Sequence, residues 1–260
     1  MRRASKAILM ILTFALAFLA IMPLLTVVVM AFNDSRIQVL PLKGLTKRWF
    51  EEAIASADLR GAFFNSIQIA SITALTSGCL GLASAHLVTR KLSMKSGMLY
   101  GFLVSIPCLV PLLVCGFALL VYYRQTGLIG TKFGIVIAHT CFTSPFAFAI
   151  IRNAYYGLNM ELEYAARNLG ASESQVMIRV VVPQLAQAIV GAAAVAFLFS
   201  WDEFILAWFV GGFHKTIPTA IYGALGTAYA PSINALATLS MTISIVGLIM
   251  LLLANRRSRA

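Results

Sequence analysis

Long apolar runs separated by short charged segments dominate this sequence. Each of six runs is close to the roughly 20 residues that a helix needs to cross a bilayer. At a rise of about 1.5 Å per residue, the first run alone corresponds to about 39 Å of helix. The pattern predicts an all-α integral membrane protein with six transmembrane helices. The runs cover residues 7–32, 62–88, 98–122, 133–151, 188–210 and 231–254.

The first run could also be read as the apolar region of a cleaved signal peptide. Such a region has about 7 to 15 residues, whereas residues 7–32 contain no charge over their whole length. We therefore expect an uncleaved anchor, followed by a charged external loop with a short interfacial helix near residues 49–53. Residues 1–61 would form the anchor and this loop, and residues 62–260 would form a core of five spans.

Composition excludes an ordinary soluble domain. The chain is 60% hydrophobic and 11% charged, whereas soluble domains are roughly a quarter charged. Its net charge of +11 comes from short basic clusters between the apolar runs, so no nucleic acid partner is expected. The four cysteines lie inside apolar runs without metal-ligand spacing, and the three histidines are scattered. We expect no disulfide and no metal site.

The basic clusters predict the orientation in the membrane. With the N-terminus inside, the internal segments carry twelve Lys and Arg residues and the external segments carry eight. Five of those eight lie in the first external loop beside four acids, while every internal segment carries three basic residues. The positive-inside rule therefore places both termini, and the segment between the fourth and fifth runs, in the cytoplasm.

That internal segment, about residues 152–187, is the longest polar interruption in the core. Glu163 and Arg167 stand four residues apart, where opposite charges on a helix attract. Because its apolar stripe is narrow and contains alanines, we interpret the predicted helix as a surface for a partner. The stripe has the i, i+3, i+4, i+7 spacing of one helix face. Its residues are Leu162, Ala165, Ala166 and Leu169.

A tight turn and a second helix are predicted directly after the first. Gly170 favours the turn, since a left-handed residue at a helix C-terminus is least strained as glycine. Ser172 and Gln175 have the spacing of a capping box. Pro183 then leads back into an apolar run. The segment is thus predicted to be a helix-turn-helix.

The same residues carry a family resemblance. Ala165-Ala166, three residues, Gly170, nine residues and a Val-Val-Val-Pro sequence ending at Pro183 resemble the EAA loop of binding-protein-dependent ABC importer permeases. Tyr164 stands where that pattern, Glu-Ala-Ala-x3-Gly-x9-Ile-x-Leu-Pro, usually has Glu. The resemblance implies a type I ABC importer permease whose loop fits a groove on an ATP-hydrolysing subunit. It assigns this coupling role to Glu163, Tyr164, Ala165, Ala166, Leu169, Gly170 and Pro183.

The C-terminal part resembles the spermidine/putrescine permease branch. The matching stretches are residues 200–204, 216–218, 221–223 and 230–237. A polyamine is therefore the favoured solute, with opines, phosphonates and other small organic ions as alternatives. The resemblance also implies the bacterial inner membrane with its lipid, two ABC ATPase subunits carrying ATP and Mg, a soluble substrate-binding protein, and a second permease for which a different chain is favoured. This chain has no phosphate-binding Gly-x4-Gly-Lys-Ser/Thr motif, so we expect no cofactor and no enzymatic activity in it.

Two acids, Asp202 and Glu203, lie inside a predicted span. A charge at mid-bilayer costs roughly 2.5 to 3.5 kcal/mol, so such residues usually line a watery path or face the interior of a bundle. Adjacent positions on a helix point in directions about 100° apart. One acid could therefore face a substrate pathway while the other caps a helix or pairs with a neighbour. The alternative is that both lie at the outer interface.

A secondary transporter or channel that works without an ATPase is the competing interpretation. It predicts inverted repeats and discontinuous spans around the binding site. We find no repeat between the two halves of the sequence, and this alternative leaves the helix-turn-helix without a role. The sequence therefore favours the ABC importer permease.

Overall fold

The computed structural model describes residues 2–37, 39, 41–225 and 231–257. In these residues the chain is helical, apart from loops and an isolated antiparallel bridge between Asn33 and Leu45. The helices are α1 (Arg2–Ala31), α2 (Arg48–Ala55), α3 (Ala57–His86), α4 (Met94–Leu109), α5 (Leu112–Thr126), α6 (Lys132–Tyr155), α7 (Met160–Asn168), α8 (Glu173–Val176), α9 (Val182–Asp202), α10 (Ile205–Val210), α11 (Ile217–Leu225) and α12 (Ser232–Arg257). π-helical turns at Leu87–Lys91 and Met177–Val181 extend α3 and connect α8 to α9.

Among the described residues, five helical stretches are long and apolar enough to cross a membrane. They are Ile8–Ala31, Ala57–Lys91, Lys132–Tyr155, Glu173–Asp202 and Ser232–Ile249. The pair α4 and α5 forms a sixth if it counts as one span. The prediction of an all-α membrane protein is confirmed.

The third predicted span is broken in the middle. α4 ends at Leu109, α5 begins at Leu112, and the two helices meet at 94°. Val110 has extended backbone, with φ −90° and ψ 133°. Pro111 explains the break, since the residue before a proline is pushed out of the helical region and proline has no N–H to donate. The predicted span over residues 98–122 is therefore formed by two helices instead of one.

The fifth predicted span, residues 188–210, also has different bounds. α9 begins at Val182 and ends at Asp202, and α10 is a separate short helix. Glu203 between them is extended, with φ −71° and ψ 122°. Its carboxylate accepts the backbone N–H groups of Leu206 and Ala207 at 3.0 and 3.1 Å. Glu203 thus acts as a cap that starts a new helix instead of continuing the old one.

The chain divides into two compact units. The first comprises Met1–Arg60 and Ala220–Ile243. In it the indole N–H of Trp49, on the α2 helix, donates to the carbonyl of Asn33 at 2.7 Å, and both residues are buried. Most of α1 is exposed, as shown by Phe14 with 74% of its surface accessible. An apolar helix exposed in this way is suited to contact lipid or another subunit.

The second unit comprises Gly61–Thr219 and Ser244–Ala260. Its centre is α6, which packs along α9 and α4. Gly81 lets α3 approach α6 closely, because a Cβ there would lie 2.8 Å from the carbonyl carbon of Ala147. Small interface residues allow this kind of contact between membrane helices. The division of the chain at residues 61 and 62 and the cytoplasmic placement of the termini stay predictions.

Candidate functional site

The polar loop forms the predicted helix and turn. α7 ends in a Schellman motif, in which the N–H of Gly170 donates to the carbonyl of Arg167 at 2.9 Å and that of Ala171 donates to Ala166 at 3.1 Å. Gly170 has φ +87°, in the left-handed region that favours glycine. A Cβ at this position would meet no atom within 4 Å, so only the backbone conformation requires glycine. The prediction of a tight turn at Gly170 is confirmed.

The second helix of the loop begins as predicted. The Ser172 hydroxyl accepts the N–H of Gln175 at 3.4 Å, and the Ser172 N–H donates to the Gln175 side-chain oxygen at 2.9 Å. These reciprocal bonds make a capping box. Pro183 lies in the first turn of α9, where a missing N–H is tolerated. The helix-turn-helix is therefore present.

The two faces of α7 differ from the predicted stripe at one position. Leu162, Ala165 and Leu169 share the outward face, with 49% of Leu162 and 89% of Leu169 accessible. Ala166 instead is partly buried and packs against the chain's own apolar core. Ala166 thus lies at the edge of the stripe that this core partly covers, and its coupling role stays a prediction. Tyr164 is exposed.

Glu163 points into the protein and pairs with Arg90. The Nε and Nη2 atoms of Arg90 donate to one carboxylate oxygen of Glu163 at 2.9 and 2.7 Å. Only 8% of the Arg90 side chain and 3% of the Glu163 side chain are accessible. The Nη2 atom of Arg167, the partner predicted from the sequence, lies 3.8 Å from the other carboxylate oxygen of Glu163. Arg90 was not predicted, since nothing local relates residues 73 positions apart.

Aromatic and charged groups surround this pair. The guanidinium of Arg90 lies 5.1 Å from the ring centroid of Tyr155, in cation–π contact. The Tyr155 hydroxyl lies 3.0 Å from Nδ1 of His86. At the solvent edge, Glu173 accepts from Lys91 and from Arg167, both at 3.1 Å. The loop is thus attached to the end of α3 by the buried Arg90–Glu163 pair and the exposed Lys91–Glu173 pair.

The two acids of the fifth span have different surroundings. Asp202, the last residue of α9, is exposed and accepts the Ser244 hydroxyl at 3.3 and 3.4 Å. Glu203 is buried, and besides capping α10 its carboxylate lies 3.2 Å from Nε2 of His139. The other ring nitrogen of His139 lies 2.7 Å from the hydroxyl of Ser200. This buried His–Glu contact could not be predicted from the sequence, since His139 belongs to another helix, α6.

The described residues contain no group of three His, Cys, Asp or Glu side chains arranged to hold a metal ion. What the geometry provides is an exposed apolar helix face on a firmly attached loop and one exposed carboxylate at the end of a span.

Comparisons with known proteins agree with these features. The sequence pattern of the family described as "Binding-protein-dependent transport system inner membrane component" matches residues 77–260. The chain is 28% identical over 235 residues to the putrescine transport system permease protein PotI of Escherichia coli K12, covering 87% of this chain and 83% of PotI. It is 26% identical to the spermidine/putrescine transport system permease protein PotC of Haemophilus influenzae, covering 91% of each.

Solved structures share the fold. A chain of a bacterial ABC transporter involved in the import of the acidic polysaccharide alginate superposes with a TM-score of 0.70 at 18% identity, covering 98% of this chain and 96% of that chain. A chain of the MetNI methionine ABC transporter gives a TM-score of 0.62 at 18% identity, covering 77% and 94%. Both are similar in architecture to this protein.

Replacing Gly170 tests the turn. Gly170→Val should strain the backbone by about 1–3 kcal/mol, because a β-branched residue is unfavourable at positive φ. We expect faster hydrogen exchange at residues 163–176, with the exchange of α3 and α6 unchanged. Gly170→Asn is the control, since Asn tolerates the left-handed region. Equal protection of the loop in the Val variant and the parental protein would contradict this account.

Proposed function

The chain belongs to the family of binding-protein-dependent transport system inner membrane components and is a permease subunit of an ABC importer, for which we propose a polyamine as the solute. It is a translocation subunit and not an enzyme, since in this family ATP is hydrolysed by a separate subunit. The putrescine and spermidine/putrescine permeases among its relatives support this choice of solute.

The observation that carries the proposal is the exposed carboxylate of Asp202. A negative charge at a helix C-terminus opposes the helix dipole, and a charge in an apolar span is unfavourable as well. Both effects make Asp202 unfavourable for the stability of α9, and its place at the end of a span suits a substrate pathway. Glu203 is already engaged by two backbone N–H groups and His139. Of the two predicted pathway residues, Asp202 is thus the one available to a solute.

An anionic site of this kind favours a cation. An ammonium group can form charge-assisted hydrogen bonds with a carboxylate, and these are stronger where water is partly excluded. A phosphonate would be repelled by the same carboxylate. Among the solutes that the family resemblance suggests, a polyamine fits Asp202 best, and an opine or another small organic ion is the alternative.

The exposed face of α7 supports docking to an ATPase. Leu162, Ala165 and Leu169 offer a small apolar surface that the described part of this chain leaves uncovered. In the proposed assembly two ATPase subunits with ATP and Mg, a second permease of different sequence and a soluble substrate-binding protein work with this chain. Both termini and α7 face the cytoplasm. ATP-driven closure of the ATPases moves α7, and this requires contacts that differ between the two states.

One observation favours the rival interpretation. The 94° break between α4 and α5 is the kind of discontinuity that secondary transporters use for binding. That interpretation leaves the exposed apolar face of α7 without a purpose, whereas an importer uses it. The importer therefore accounts for more of the structure.

Arginine on the outward face of α7 tests the docking surface. Leu162→Arg or Ala165→Arg places a long charged side chain in the proposed contact, so the ATPase should be lost when the permease is purified in detergent. Met94→Arg is the control, because Met94 is also apolar and, with 86% of its surface accessible, more exposed than Leu162, but it lies outside the loop. The position of Ala166 is unsuitable, since arginine there would disturb the protein's own core. Full retention of the ATPase in both α7 variants would reject the docking surface.

Neutralising Asp202 tests the solute. Asp202→Asn should lower the maximal rate of putrescine uptake by about tenfold, the effect of losing one charge-assisted contact. The apparent affinity should change less, because the soluble binding protein sets it in this family. ATP hydrolysis by the complex is the control for assembly. Uptake at the parental rate would remove the main physical support for a cationic solute.

A further inference from the structure

Glu163 belongs to the residues that the family resemblance assigns to ATPase coupling, yet its side chain faces the interior of this chain. Only 3% of that side chain is accessible, and its carboxylate is held by Arg90 at 2.7 Å. An ATPase docked on the outward face, formed by Leu162, Ala165 and Leu169, would not reach it. A role of Glu163 in coupling therefore has to come from its contacts inside this chain.

The Arg90–Glu163 contact is the strongest polar attachment of α7 to another described helix. Two N–H groups of Arg90 converge on one carboxylate oxygen, and the guanidinium also packs on Tyr155. Removing one partner of a buried ion pair leaves an uncompensated charge, whereas exposed pairs contribute little. The exposed Lys91–Glu173 pair, with 58% of the Glu173 side chain accessible, belongs to this weaker class.

Arg90 lies at the end of α3, so a force on its side chain would act on that whole membrane-spanning helix. It lies in the π-helical turn Leu87–Lys91 that ends the 30-residue helix α3. This turn is closed by the Leu92 N–H donating to the Leu87 carbonyl at 3.0 Å. Farther along α3, Gly81 is packed directly on α6.

We propose that the Arg90–Glu163 ion pair transmits the movement of α7 to the end of α3, which makes both residues positioning residues for transport and neither a contact of the ATPase. This inference rests on the proposed docking of an ATPase to α7. The chain connects α7 to α6 and, through α8, to α9, so the ion pair adds a non-covalent route to a third span. Without it, α7 would still follow the ATPase, whereas the end of α3 would keep only the exposed Lys91–Glu173 pair and the packing of α3 on α6.

Hydrogen exchange in the complete complex with its ATPase subunits tests this inference without requiring the solute. Exchange is compared with and without ATP under conditions that prevent hydrolysis. In the parental complex, ATP should change exchange both at residues 160–170 and at residues 84–92. In Glu163→Gln the change at 160–170 should persist, while the change at 84–92 should fall by roughly tenfold, because the ion pair is lost.

Glu173→Gln is the matched control. It removes a carboxylate from the same loop, but this carboxylate forms only exposed ion pairs. Both segments should respond to ATP as in the parental complex. If Glu173→Gln lost the ATP-dependent change in exchange at residues 84–92 as fully as Glu163→Gln does, the assignment to the buried pair would be overturned.

An unchanged ATP response at 84–92 in Glu163→Gln would likewise overturn the proposal. If that variant does not accumulate in the membrane, Arg90→Lys decides, because it keeps the buried positive charge and removes the two-point contact. A reduced response at 84–92 in Arg90→Lys supports transmission through the pair, and a parental response rejects it. Failure of the docking model would look different, since ATP would then leave 160–170 unchanged even in the parental complex.

Discussion

A nearly solvent-free ion pair between Arg90 and Glu163 sets the orientation of α7, on which the account of the polar loop depends. With Glu163 turned inward, the helical period carries Ala166 against the core and leaves Leu162, Ala165 and Leu169 facing outward. The Schellman turn then redirects the chain into α8 and α9. A buried charge is tolerated only with its partner, so Glu163 has to face Arg90. This one contact therefore both leaves the docking face exposed and attaches α7 to α3.

The same physical rule separates the two acids at the end of α9. Glu203 is buried and its charge is met by two N–H groups and His139, so it serves the start of α10. Asp202 accepts the hydroxyl of Ser244 and remains exposed. The similarity in fold to an importer of acidic alginate shows that this architecture does not determine the charge of the solute. The argument for a cation therefore rests on Asp202 and on the polyamine permeases among the relatives.

The sequence predicted features that depend on local rules. The apolar runs predicted the membrane spans, and Gly170 predicted the left-handed turn. The Ser172–Gln175 spacing predicted the capping box. The break at Pro111 had a local signal too, since proline disfavours the helix before it, but the length of the apolar run hid it. The Arg90–Glu163 and His139–Glu203 contacts could not be predicted, because each joins residues that only tertiary packing brings together. Periodicity placed Ala166 in the apolar stripe of α7 without showing which edge of that stripe the core covers.

Transport by purified components tests the central claim most directly. The chain is reconstituted in lipid vesicles with its partner permease, the ATPase subunits and the soluble binding protein, and putrescine accumulation is followed together with ATP hydrolysis. The account predicts accumulation only when ATP and the ATPase subunits are present. Accumulation in vesicles that contain this chain without the ATPase would contradict it and favour a self-contained transporter.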